Sequence, residues 1–68
     1  MAMQTSERPR RLLRLRGVLD RTGKSRSSVY ADKSFPKPIN IGDRAKAWIE
    51  DEVDDWMERR IAERDAAA

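Results

Sequence analysis

FPKPINIGDRAKAW, Phe35 to Trp48, is the stretch whose reading decides the fold of this 68-residue chain. Ile39 and Ile41 alternate with Asn40, the period of a strand. Gly42, Asp43 and Arg44 are turn residues. The chain then returns through Ala45 to Trp48, with Ala45 and Ala47 opposite Lys46 and Trp48. The expectation is a two-stranded hairpin with a basic tip. A lone hairpin is unstable in water, so one face must pack on helices, with Ile39, Ile41 and Trp48 as candidates. Phe35 precedes a proline, which pushes it toward extended geometry and stops whatever helix comes before.

Working outward toward the N-terminus, SRSSVYAD suggests a short helix over Arg26 to Asp32, with Ser25 as its N-cap and Val29 as its main inward residue. Gly23 stands where a left-handed residue would end an earlier helix. That earlier helix spans about Leu15 to Arg21, because Leu15, Val18 and Leu19 form one apolar stripe. Gly17 weakens it by up to about 1 kcal/mol relative to alanine. RLLRL, Arg11 to Leu15, is too short for periodicity to decide between a first strand and a lead-in to the helix. Residues 1–10 carry no apolar periodicity and are expected to be a disordered basic arm.

Toward the C-terminus, Asp51 is placed to cap a helix of about three turns whose start holds Glu52, Asp54 and Asp55, the charge a helix N-terminus prefers. Val53, Trp56, Met57, Arg60 and Ile61 follow at spacings of three and four. Residues 63–68 are expected to fray, leaving 11–62 as the folded domain.

So short a chain makes one domain with a small core. It has no cysteine, hence no disulfide or thiolate site, and no histidine, hence neither the usual general base nor the commonest metal ligand. The expectation is no enzyme and no cofactor. No apolar run reaches the roughly 20 residues of a membrane span, and the first residues lack the apolar core of a signal peptide, so a cytoplasmic protein is expected. The charge is divided unevenly. Through Trp48 there are twelve Lys and Arg against four acids, a net of +8, and from Ile49 onward eight acids against three arginines, a net of −5. A basic half beside an acidic half suggests a polyanion on one side and a different contact on the other.

Two short helices joined by a glycine-containing turn, then a hairpin, outline a mainly α winged helix-turn-helix with a small β-hairpin. RLLRLRGVLDRTGKSRSSVYADKSFPKPINIGDRAKAWIEDEVDDWMERRI resembles the AlpA family of prophage transcriptional regulators and the related phage excisionases, small relatives of the MerR-type winged helix-turn-helix. The resemblance rests on Leu12 to Leu15, Val18 and Leu19, Thr22 and Gly23, Ser25 to Tyr30, Phe35, Pro36 and Pro38, Ile39, Ile41 and Gly42, Arg44, Trp48 and Trp56. Three positions depart from the pattern: Lys24 stands where the family usually has an apolar residue, Ser28 replaces a threonine, and Gly17 replaces a better helix former.

The resemblance implies double-stranded DNA as partner. Ser25, Arg26, Ser27, Ser28, Tyr30 and Lys33 would serve the recognition helix, with Arg26 as the base contact. Lys37, Arg44 and Lys46 would serve the wing, and Arg8, Arg10 and Arg11 the arm. Tyr30 is read two ways, as core with only its hydroxyl outward or as a DNA contact. Self-association on DNA and an integrase partner would fit such a module, with no membrane contact. The alternative is a protein-interaction adaptor that docks a partner through its acidic last helix without touching DNA.

Overall fold

The computed structural model describes residues 11–67. Its elements are β1 (Leu12–Leu13), α1 (Leu15–Thr22), α2 (Arg26–Ala31), β2 (Ile39–Gly42), β3 (Ala45–Ile49) and α3 (Glu50–Ala67). The three strands form an antiparallel sheet in the order β1-β3-β2. RLLRL is therefore both things its length left open: Leu12 and Leu13 pair with Ile49 and Trp48, and Leu15 opens α1.

α1 ends as the sequence suggests. Gly23 takes φ 75° and its N–H donates to the Leu19 carbonyl, the left-handed cap that a Cβ would disfavour. Ser25 then caps α2 through a reciprocal box with Ser28. α2 stops at Ala31, earlier than the Phe35-Pro36 signal requires. The cause is Asp32, whose carboxylate accepts from the Ser34 backbone N–H and hydroxyl at 2.8 and 2.7 Å and draws the chain into a turn.

β3, the central strand, carries the core. Trp48 and Ala47 are both fully buried, and Trp48 joins Val18, Val29, Phe35 and Val53 in one cluster. Leu13, Leu15, Leu19, Trp56 and Met57 pack against it. The expectation that Ile39 and Ile41 help hold the hairpin down is not met. β2 is an outer strand with every residue exposed, and these two side chains stay 40% and 44% accessible. Alternation locates a strand but does not say which face will be covered.

α3 also departs from expectation. It begins at Glu50, directly from β3, so Asp51 sits inside the first turn. No preceding side chain is needed as a cap for the first N–H, because Glu50 donates to the Arg11 carbonyl at 2.9 Å and continues the strand ladder. The helix runs through Ala67, so residues 63–67 are helical. Its terminal alanines favour helix, and Arg60 pairs with Glu63 one turn on at 3.1 Å. Ile61, placed by spacing on the apolar stripe, is 44% exposed because the helix has outrun the core.

Lys24 fits a place where the family pattern has an apolar residue. Its side chain is mostly buried, its ammonium sits 4.9 Å from the Trp56 ring centroid and 5.5 Å from that of Phe35, and it reaches Asp32 at 2.9 Å. The stem does apolar work while the head is paired. Ser34 and Lys24 together hold the Asp32 carboxyl well below the usual carboxylate range. The network continues to Trp56, whose Nε1–H donates to the Ser34 hydroxyl at 3.1 Å, so the turn after α2 is fastened to α3.

Candidate nucleic-acid interface

One concavity, about 450 Å³, opens where the start of α1, α2 and the hairpin meet. Leu15, Tyr30 and Trp48 line it together with five cations: Arg14, Arg16, Arg26, Arg44 and Lys46. None of the five has an ion-pair partner among the described residues. Several cations elsewhere on the surface are paired. Arg21 binds Asp54 through Nε at 2.9 Å and Nη2 at 3.3 Å, Lys24 holds Asp32, and Arg60 and Arg64 have Glu63 and Asp65. Lys33, Lys37 and Arg59 are also without an ion pair among the described residues, so what sets this groove apart is five cations sharing one lining that contains no acid.

Each wall is set by local structure. Arg26 is the first residue of α2, held at the groove by the Ser25–Ser28 cap. Tyr30 lies one turn further on the same helix. Its ring is 48% exposed and meets Trp48 edge-on, with centroids 5.8 Å apart. The ring therefore braces the core tryptophan while remaining accessible from the groove. Arg44 lies in the hairpin turn at φ 60°, a left-handed conformation that glycine adopts without cost and arginine does not. The adjoining pairing is irregular, shifting register between Asn40 and Gly42, which bends the tip. Lys46 is steadied by the Asn40 side-chain oxygen at 2.7 Å.

Sequence reasoning missed Arg14 and Arg16. Arg14 is the N-cap position of α1, and its Nε–H donates to the Lys46 carbonyl at 3.1 Å, tying the helix start to the hairpin. Only the pairing of β1 with β3 brings these arginines beside the wing, and that pairing is long-range. The repeated Arg in RLLRLRG was the available signal.

Other expected site residues fall elsewhere. The Ser28 hydroxyl donates to the Ser25 carbonyl and accepts the Ser25 N–H, while Ser25 Oγ accepts the Ser28 N–H, so both are engaged in the cap. Ser27 is exposed beside them. Lys33 lies in the turn beyond α2 and does not line the groove. Lys37 borders a different concavity together with Glu52 and Asp55. Arg11 lies 3.9 Å from Glu50, and Arg8 and Arg10 lie outside the described residues.

A turn-linked helix pair with an adjoining hairpin, sharing one unneutralised basic groove, is a winged helix-turn-helix. The chain belongs to the AlpA family: the family described as "Prophage CP4-57 regulatory protein (AlpA)" matches residues 11–61. It is 36% identical over 59 residues to the "DNA-binding transcriptional activator AlpA" of Escherichia coli (strain K12), an alignment spanning 74% of this chain and 84% of that protein. It is 39% identical over 57 residues to "Uncharacterized protein ORF88" of Enterobacteria phage P4, covering 79% of this chain and 65% of that protein. No solved structure gives a significant match.

Proposed function

We propose that this chain binds double-stranded DNA sequence-specifically and regulates prophage or other mobile-element genes, as a transcriptional regulator or as an excisionase-type factor that directs an integrase. The observation that carries the reading is the groove of five cations without acidic partners. Packing like charges around one concavity costs stability unless a polyanion fills it. α2 would enter the major groove with Arg26 at the base edges, and the hairpin would lie along the backbone or in the minor groove with Arg44 and Lys46. The relative in E. coli, named as a DNA-binding activator, supports the same reading. The acidic face of α3 (Glu52, Asp55, Glu58) would be kept away from phosphate, available to a basic protein such as an integrase. No membrane-spanning role enters this reading, since no helix among the described residues is long and apolar enough to cross a bilayer.

Salt titration of a short duplex by fluorescence anisotropy tests it. If the four groove cations other than Arg26 each neutralise a phosphate, log affinity against log salt has a slope of roughly −3 to −4. Absence of any salt-dependent titration would favour the adaptor reading through α3. The plateau of the same titration reports stoichiometry. More than one copy per site is expected, because a single module of this kind covers only about 600–1,000 Å².

The strained position of Arg44 supplies a separate check. Arg44→Gly is expected to relieve a left-handed backbone cost of about 1 kcal/mol, partly offset by the greater freedom of glycine in the unfolded chain. Urea unfolding of this variant should therefore show stability no lower than wild type, while its affinity falls on every duplex tested. A variant that melts earlier and binds DNA normally would remove the wing from the interface.

A further inference from the structure

The groove has a third wall that neither the recognition helix nor the wing accounts for. Arg14 and Arg16 flank Leu15 at the start of α1, and both line the concavity. Arg16 is exposed and makes no hydrogen bond or ion pair with any described residue. Arg14 commits its Nε–H to the Lys46 carbonyl, and its terminal nitrogens have no protein acceptor among the described residues. Asp20, one turn along α1 from Arg16, makes no ion pair with it, while Glu50 and Asp54 hold Arg21 and Asp32 holds Lys24. Two guanidiniums left unpaired on one wall of a cationic groove are suited to bind planar oxyanions in a two-pronged manner.

We propose that Arg14 and Arg16 form a third DNA-contacting element, an α1 clamp that binds backbone phosphates beside the segment read by α2. This rests on the reading of the groove as a DNA site. The chemistry recognised is the phosphodiester, not a base edge. Arg14 stands on the helix start and is fixed to the hairpin, so it has a second effect as a positioning residue. Its bond to the Lys46 carbonyl sets the distance between the wing and α1, and through them the width available to the duplex. Phosphate contacts of this sort fix register and orientation without carrying sequence information. The clamp therefore adds affinity equally on all sequences, and Arg14 alone, through its bond to the hairpin, also aligns the site for the sequences Arg26 prefers.

The test compares Arg16→Gln, Arg14→Gln and a control, Arg60→Gln, in the full chain. Arg60 lies on α3 outside the groove and pairs with Glu63. Each variant is titrated at several salt concentrations against two duplexes, one selected from a random pool and one unselected. Arg16→Gln breaks no protein contact and carries the decisive measurement, with a thermal melt confirming that the fold is intact. Loss of one phosphate contact reduces the salt slope by about 0.9, which corresponds to roughly eightfold weaker binding at about 0.1 M salt. The loss should be the same on both duplexes. Arg14→Gln should lose at least as much, and should further blunt the preference between duplexes because the wing is released.

If Arg16→Gln keeps the slope and affinity of Arg60→Gln while Arg26→Ala still abolishes selectivity, the clamp is refuted and the groove reading stands. A loss confined to the selected duplex also refutes it, since a phosphate contact cannot discriminate sequence. If the wild-type chain binds neither duplex, both readings fall together.

Discussion

Trp48→Ala is expected to leave the chain largely unfolded at 25 °C. Trp48 is the largest fully buried side chain, at the centre of the sheet, and it touches all three parts of the fold. Its strand pairs Leu13 on one side, its Nε1–H donates to the Pro36 carbonyl at 3.2 Å, and its ring receives Tyr30 from α2. Truncating a buried aromatic to alanine costs roughly 3–5 kcal/mol through lost burial and the cavity left behind. A single core in a domain below about 70–80 residues rarely supplies more than that in total. Far-UV circular dichroism with a urea titration should show little or no folded baseline. Ile61→Ala is the matching control. It removes a side chain of similar chemistry from an exposed position past the end of the core, so its effect should stay within about 0.5 kcal/mol. A cooperative Trp48→Ala transition close to wild type would mean that the core is not organised around this residue.

The same tryptophan shows what could be read from the sequence and what could not. Its place in the hairpin made it a candidate for the buried face together with Ile39 and Ile41, and of the three it is the one that is buried. Features governed by neighbours in the chain were legible in the same way: the left-handed Gly23, the Ser25 cap, the Asp43-Arg44 turn and the inward Val29. Each is decided by backbone sterics or by a hydrogen bond spanning a few residues.

What escaped was decided by distant pairing. Asp51 looked like a cap because it precedes a run of helical spacing. The actual start is Glu50, since its N–H is satisfied by Arg11, thirty-nine positions away in sequence. Ile39 and Ile41 looked like core because they alternate, yet their strand lies at the sheet edge beyond β3. The site divides along the same line. Arg26, Tyr30, Arg44 and Lys46 were visible as basic and aromatic residues on recognisable elements. Arg14 and Arg16 were not, because only the β1–β3 register carries the start of α1 to the groove. The serines of α2 were ambiguous for a different reason. A hydroxyl near a helix start serves a cap or a phosphate equally well, and here the cap takes Ser25 and Ser28.

That division of the α2 residues makes Arg26→Ala the most informative functional variant. With Ser25 and Ser28 engaged in the cap and the Tyr30 ring braced on Trp48, Arg26 is the α2 side chain in the groove with both the reach and the free donors for bidentate hydrogen bonding. Residues at the start of a recognition helix are the ones that meet base edges. Removing such a contact costs roughly 1–3 kcal/mol, about five- to 150-fold in affinity, on the preferred sequence. On unselected duplexes the loss should be small, because little more than one favourable charge is given up there. The fold should be unaffected, since Arg26 has no protein partner to abandon. The expected outcome is a variant that melts like wild type, still binds DNA with a steep salt dependence, and no longer distinguishes selected from random sequence. Equal losses on both duplexes would move Arg26 from the bases to the backbone. Recognition would then have to come from the wing or from the deformability of the duplex, because Tyr30, the other α2 side chain lining this groove, is braced on Trp48 and offers one hydroxyl in place of a bidentate donor.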